Sequence, residues 1–388
     1  MTPIAIRAGA LFDGVSGTLT PDPVLVISGP AIVSVAGSVA PPADAEVIDL
    51  PGATLMPGLI DTHVHLAFDG GPDPVAALAA RDDDAVLAVM RAAARTALHA
   101  GITTVRDLGD RDYLSLRLRG LDGMPTIVAA GPPITTPAGH CHFLGGATEP
   151  TPQALRAAVR ERADRGTDVI KIMASGGTMT PGTRQETSQF TTELLRAAVD
   201  EAHRHGLPVT AHAHGTDSIR MSLDAGADGM EHVTFWSADG VDEPGDLIDR
   251  IARCGVTVGI TAGSVQAPGL APPPAIVKRL PAVVSNTRRL YEAGAHLVLG
   301  TDAGIGPTKP HDVLRHALQQ TAMLGVTPAT ALTLATSRAA AACGLAGTKG
   351  RLAPGFDADI VAVDGDPLAD LAALHHIRAV FARGRRVL

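Results

Sequence analysis

Cysteine is scarce: Cys141, Cys254 and Cys343 are the only three in 388 residues, and no Cys-x-x-Cys occurs. That scarcity argues against a disulfide framework or a thiolate zinc site and fits a reducing compartment. Aromatic residues are 3% of the chain, and the formal charge is −8. With neither a basic surface nor many stacking rings, nucleic acid is not an expected partner; a small-molecule substrate is. Met1-Thr2-Pro3-Ile4-Ala5-Ile6-Arg7 is no charged leader before an apolar core, so no secretory signal is read there. The longest apolar runs are strand-sized and end at Gly, Pro or Asp, which predicts no membrane span and no membrane partner. A cytoplasmic enzyme is expected, and whether it forms a homo-oligomer stays open.

The length suits one large α/β domain with a smaller one attached. From Ile4 to about Met56, short β-like runs such as Val24-Leu25-Val26-Ile27 and Ala31-Ile32-Val33-Ser34-Val35 are broken by Gly and Pro. The far end, with Asp359–Val363 and Arg378–Gly384, reads the same way, so residues 1–56 and 350–388 are expected to build one small β-sandwich from both termini. Between them, residues 57–349 repeat a short apolar strand and a helix-length segment. Strands are expected near Leu59–Leu66, Thr103–Leu108, Thr126–Ala130, Val169–Ala174, Val209–Ala213, Gly229–Phe235, Val256–Thr261 and His296–Asp302. Helices are expected over Asp84–Ala100, Pro152–Arg165, Thr192–His205, Ser218–Ala225, Pro281–Ala293 and Asp312–Leu324. Such a series implies a (β/α)8 TIM barrel, with the active site at the C-terminal ends of the strands.

Fifteen histidines would give about half of one His-x-His pair by chance. The chain has four: His63/His65, His140/His142, His203/His205 and His212/His214. Alternate residues of a strand share a face, so His63 and His65, late in the first barrel strand, can offer two imidazoles to one metal ion. His203 and His205 close a helix before Gly206 and read as a solvated C-terminal turn. His140 and His142 lie in a Gly-rich loop after the third strand, where substrate contact, oxyanion stabilisation and plain loop structure are all open. His214, past the fifth strand, either contacts substrate or does not.

Lys171 stands amid the apolar fourth strand, where a buried ammonium is costly unless paired or uncharged. Two solutions are open. Lys171 pairs with Asp107 or Asp302, or it reacts with CO2 to give a carbamate whose two oxygens bridge two metal ions. His212 and His232 end neighbouring strands and are either core histidines or, with His63 and His65, metal ligands. Asp302, ending the last strand, either caps the next helix or ligates metal and shuttles a proton. Two divalent ions bring four positive charges, and a carbamate, Asp302 and a hydroxide return about three negative ones, which suits polarising a carbonyl.

These residues resemble the metal-dependent amidohydrolase superfamily. Pro57–His65 matches its first-strand motif, and His212, His232 and Asp302 match its later ligands. Lys171–Gly177, His212-Ala213-His214-Gly215 and Gly300-Thr301-Asp302-Ala303-Gly304 resemble the branch with prolidase-type Xaa-Pro and Xaa-Arg dipeptidases, ochratoxin-type amidases and imidazolonepropionase-like proteins. The tail Leu352–Ile360 resembles the segment returning such chains to their small β domain. The resemblance implies a binuclear centre: His63, His65 and Asp302 on the more buried ion, His212 and His232 on the other, carbamylated Lys171 bridging. His140 would correspond to a histidine that binds substrate or stabilises the tetrahedral oxygen. The loop Thr178–Glu186 and the Phe235-Trp236 pair are not a dipeptidase signature. Within them Arg184 either binds a substrate carboxylate or is a surface charge, and Trp236 joins His142 and His214 as a substrate-contact candidate.

The expected activity is hydrolysis of a C–N bond in a small amide, carbamate, urea, dipeptide or N-acyl amino acid. A metal-bridging hydroxide would attack, with Asp302 as the proton shuttle and His140 assisting. Imidazole and carboxylate ligands suit two zinc ions. A hydrolytic deaminase or lactonase would use the same scaffold, and a catalytically silent assembly barrel is the remaining reading.

Overall fold

A computed structural model describes residues 2–271 and 273–388. The N-terminal segment forms β1 (Ile4–Leu11), β2 (Thr20–Pro21), β3 (Pro23–Ser28), β4 (Ala31–Gly37) and β5 (Glu46–Pro57). The barrel strands are β6 (Leu59–Val64), β7 (Ile102–Asp107), β8 (Thr126–Ala129), β9 (Ile170–Met173), β10 (Val209–Gly215), β11 (Gly229–Trp236), β12 (Thr257–Thr261) and β13 (His296–Gly300). After them come β14 (Ile360–Asp364), β15 (Ile377–Ala382) and β16 (Arg385–Arg386). All eight barrel strands fall where sequence periodicity places them.

Strands β6-β7-β8 and β9 to β13 are two parallel runs. Short bridges close them into one ring. Ile134, just past β8, pairs with Ile172 of β9, and Val64 of β6 pairs with Ala303. At the second seam the Asp302 and His65 amides donate to His63 and Ala303 carbonyls at 2.7 and 3.0 Å. Asp61 locks that seam from inside, its carboxylate accepting from the Thr301 amide at 3.0 Å and the Thr301 hydroxyl at 2.6 Å. The backbone groups that bring His63, His65 and Asp302 together are thus those that close the barrel.

The helices follow local chemistry. Asp82 caps the helix Asp83–His99 by accepting from the Ala85 amide at 2.9 Å, and Val86, Met90, Ala94 and Ala97 form its buried stripe. Thr151 and a first-position proline start Pro152–Arg165, and Gly166, in left-handed conformation, ends it. Two expected helices differ. The segment expected over Pro281–Ala293 runs from Pro274 to Glu292, so Pro281 lies inside a helix that already has a proline at its first turn. Asp312–Leu324 divides into an α-helix, Leu314–Gln320, and a 3-10 turn, Thr321–Leu324.

The terminal strands form one hydrogen-bonded path, β16-β15-β14-β5-β1-β3-β4, with β2 beside β1. The path curls over itself: Ala31 bridges Asp357, and Ile6, Leu25, Ile27, Leu55, Ile360 and Phe381 share one core. Alternation along β14 sends Ile360 and Ala362 into this small core and Val361 and Val363 into the barrel's. No helix among the described residues is long and apolar enough to cross a membrane.

Candidate metal centre and active site

Two clusters of ligand-type side chains, all buried except the partly exposed Asp302, lie at the mouth. His63, His65 and Asp302 form one and His212, His214 and His232 the other, each with ligand atoms within 4.8 Å of one another. The clusters adjoin, His63 and His232 ring centroids being 5.1 Å apart. Asp302 Oδ1 lies 3.5 Å from His63 Nε2 and 3.2 Å from His65 Nε2. Burial would raise the Asp302 carboxyl, yet the adjoining His63 and the hydrogen bond from His65 hold it well below its ordinary range.

Each of four imidazoles has one nitrogen held by a partner outside the two clusters. His63 Nδ1 donates to Glu231 Oε2 at 3.0 Å and His65 Nδ1 to the Gly109 carbonyl at 3.0 Å. His212 Nε2 donates to the Gly176 carbonyl at 3.1 Å, and His232 Nδ1 pairs with the Thr261 hydroxyl at 2.8 Å. Such partners fix tautomer and ring orientation, the preparation that metal-binding histidines need. Burial, reinforced by Lys171, pulls His63 down to about 4, and burial with neighbouring histidines puts His212 and His232 well below 6.5. All three are neutral near pH 7, with lone pairs available. His65 behaves otherwise. Burial pulls it down, but the bond to Asp302 prevails and its pKa is raised.

His214 differs in having both nitrogens held from outside the clusters, Nδ1 by the Thr234 hydroxyl at 2.9 Å and Nε2 by the Gln185 amide at 3.3 Å. Its ring stacks on His232 at 4.2 Å and 13°.

Lys171 is 1% exposed, and its Nζ has no hydrogen-bond partner among the described residues. Neither Asp107 nor Asp302 pairs with it. Asp107 instead accepts from the Leu66 and Gly109 amides, each at 3.1 Å. Burial lowers the amine to about 8 against the pull of Glu231 and Asp302. Register pairs Lys171 with Thr210, two residues before His212, so the amine rises from the barrel floor toward the imidazoles.

His140 is buried with its ring 4.8 Å from His212, and its Nδ1 is likewise unpartnered among the described residues. His142 turns onto its own loop, Nδ1 meeting the Gly139 carbonyl at 2.9 Å, and lies outside the clusters. The Arg184 side chain is 72% exposed and pairs with Glu186 at 3.3 Å, also outside them. Trp236 stands 6.2 Å from His214 with the Arg279 guanidinium 4.5 Å over its ring. His203 and His205 close the helix Thr192–Arg204 ahead of β10 and belong to neither cluster, His203 pairing with Asp228 at 2.9 Å.

Sequence reasoning passed over Glu231 and Arg106. Both are buried, linked at 2.9 Å, and Thr210 donates to Glu231 at 2.7 Å. Their signal was the one used for Lys171, a charge amid an apolar strand. A methyl on Gly259 would collide with the Glu231 carboxylate, so the neighbouring strand leaves room for it. Gln189 was also missed. Its amide takes the His140 backbone N–H and gives to the Met173 carbonyl, each at 2.7 Å, tying the His140 loop to the end of β9.

The chain is similar to known proteins. Ochratoxinase of Aspergillus niger is 29% identical over 365 residues, spanning 84% of this chain and 73% of that protein. Imidazolonepropionase of Deinococcus deserti is 27% identical over 379 residues, spanning 89% and 87%. A solved Xaa-Pro dipeptidase superposes with a TM-score of 0.86 at 26% identity, covering 99% of each chain. Residues 54–387 match the amidohydrolase family, and the chain belongs to it.

Proposed function

We propose that this protein hydrolyses a C–N bond of a small amide, carbamate, urea or N-acyl amino acid, using two divalent cations, zinc by ligand type, and CO2 held as the Lys171 carbamate. We assign the chemistry to residues 57–349 and a supporting role to the terminal sheet. The observation that carries the reading is the Lys171 amine, buried without a hydrogen-bond partner among the described residues, near two clusters of ligand-type side chains.

The residues fit such a centre. His63, His65 and Asp302 would hold one ion and His212 and His232 the other. His214, with both nitrogens engaged, stays in the substrate region. A carbamate on Lys171 would turn this buried amine into an anion with two ligand oxygens. Bound there, the ions supply a hydroxide nucleophile at neutral pH and draw electron density from the substrate carbonyl. Asp302, kept ionised by His63 and His65, accepts the nucleophile's proton and delivers it to the leaving nitrogen, so that amine and acid separate as neutral amine and carboxylate after solvent exchange. His140, lowered to about 4 by burial, is neutral and offers an Nδ1–H to the carbonyl oxygen.

The test is a hydrolysis screen over N-acyl amino acids, dipeptides, carbamates and phenylureas, with protein reconstituted in zinc and bicarbonate. Asp302→Asn should lower kcat by about two to four orders of magnitude while metal content by elemental analysis stays high. Near-wild-type turnover by that variant would remove the proton-shuttle role. Ammonia release from heterocycles without amide cleavage would favour a deaminase.

A further inference from the structure

The loop after β9 carries Gln185 down into the mouth. Arg184 backbone atoms lie 2.5 and 2.7 Å from where a Cβ on Gly176 would stand, and the Glu186 carbonyl lies 2.6 Å from that of Gly215. Two glycines, following β9 and ending β10, therefore let the loop settle on the barrel rim. Its stem is anchored by the Gly176 amide on the Thr187 carbonyl at 3.0 Å and the Gln189 amide on the Ala174 carbonyl at 2.8 Å. Between the two contacts Gln185 points inward, only 9% exposed.

A chain of hydrogen bonds fixes which way its amide faces. The Thr234 hydroxyl donates to the His214 carbonyl at 3.4 Å, so its oxygen accepts from His214 Nδ1–H at 2.9 Å. The tautomer with its hydrogen on Nδ1 leaves Nε2 as a lone pair. The Gln185 group 3.3 Å from that lone pair must be the NH2. Its carbonyl oxygen Oε1 is then left buried and without a partner among the described residues. A buried acceptor left unpaired costs about 1–3 kcal/mol, and the group that fits it is an N–H donor entering the mouth.

We propose that Gln185 is a specificity-determining residue whose Oε1 accepts the N–H of the substrate's amide, carbamate or urea group. The inference rests on the hydrolase reading above and narrows it. Preferred substrates carry at least one hydrogen on that nitrogen. Fully substituted nitrogens, including the imide nitrogen before proline, are disfavoured, because they would bury Oε1 against carbon.

The experiment measures binding, so that it stands apart from turnover. Benzamide and N,N-dimethylbenzamide are titrated calorimetrically into zinc- and bicarbonate-loaded wild type, Gln185→Met and Gln185→Glu, each first checked for wild-type metal content and melting temperature. Wild type should bind benzamide roughly three- to tenfold tighter, the worth of one neutral hydrogen bond. Gln185→Met, which keeps the length but not the acceptor, should bring the ratio near one. Gln185→Glu, which keeps an acceptor, should preserve the preference. An unchanged ratio in Gln185→Met, equal affinities in wild type, or no binding of either amide overturns the assignment. Absence of turnover in metal-loaded protein that still shows the ratio overturns the hydrolase reading alone.

Discussion

Beneath the mouth, Glu231 and Arg106 form a buried ion pair that faces two ways. One Glu231 oxygen holds His63 Nδ1 at 3.0 Å and the other meets Arg106 and Thr210 at 2.9 and 2.7 Å. Burial alone would raise this carboxyl, yet Arg106 and His63 hold it far below its ordinary range. Glu231→Gln would strand the Arg106 guanidinium in the interior and is expected to cost about 3–5 kcal/mol in the metal-free protein. Adding Arg106→Gln should recover part of that loss, and chemical denaturation of the two single variants and the double variant measures the coupling. Strict additivity would mean that the two charges do not interact. The six candidate ligands were readable in sequence because each is a polar group at or near the end of an apolar strand. Lys171 and His63 also lie in runs with strong family likeness. Glu231, next to His232, offered the same local signal but no motif of its own. Gln185 and Gln189 offered none, since a glutamine in a polar loop acquires meaning only from what the fold sets opposite it.

The strands were the readable elements, and their ends less so. β11 departs from regular geometry where it matters: His232, Val233 and Phe235 have φ of 73°, 47° and 53°. Non-glycine residues in this region are strained, and here the turn aims His232 at His212, ring centroids 4.6 Å apart. No residue in Gly229–Trp236 announces that turn, because a β-branched valine argues for extended backbone. A second pairing of elements predicts a pH effect away from the mouth. His316 of the helix Leu314–Gln320 and His375 of the 3-10 turn Leu371–His375 meet edge to face at 4.7 Å. Around them stand Asp312, Arg315, Gln319 and His376. Partial burial and then Arg315 lower His316; partial burial and then His316 lower His375. The unfolded chain therefore takes up these protons more readily than the native one. Their contribution is constant above about pH 6.5 and becomes destabilising as the pH falls through that value. His316→Gln should lose less melting temperature than wild type between pH 7 and pH 5, by no more than a few degrees given the exposure of both rings. Parallel curves would show that the pair does not titrate as described.

Taken as one body, the protein couples its two sheets through shared residues. Lys349, which follows the last barrel helix, is buried and binds Asp357 at 2.7 Å and Asp359 at 2.6 Å. Asp359 also accepts the Arg383 amide at 2.7 Å and gives its carbonyl to the Gly58 amide at 2.8 Å. Lys349→Met leaves Asp359 buried and uncompensated and should cost about 3 kcal/mol. Calorimetry should nevertheless show one transition, because Val361 and Val363 belong to the barrel core while Ile360 and Ala362 belong to the small one. Two resolved transitions would contradict this coupling. That both termini are β-rich was readable from alternation, and that the middle is a barrel from its repeats. The curling of the terminal path until Ala31 meets Asp357 was not, since each strand's pattern specifies a buried face without naming what covers it.

The placement of β14 beside β5 has a consequence for how the molecule is made. Thr54 donates to the Gly365 carbonyl at 2.6 Å across 311 residues of chain. On a ribosome, β1 to β5 emerge early, and one edge of β5, with Leu55 and Met56, has no neighbour until the whole barrel has been translated. An open apolar edge of that kind invites pairing with other nascent chains for as long as it waits. Slow elongation through the barrel should therefore lower the yield of soluble protein, and a holdase that shields the early strands should restore it.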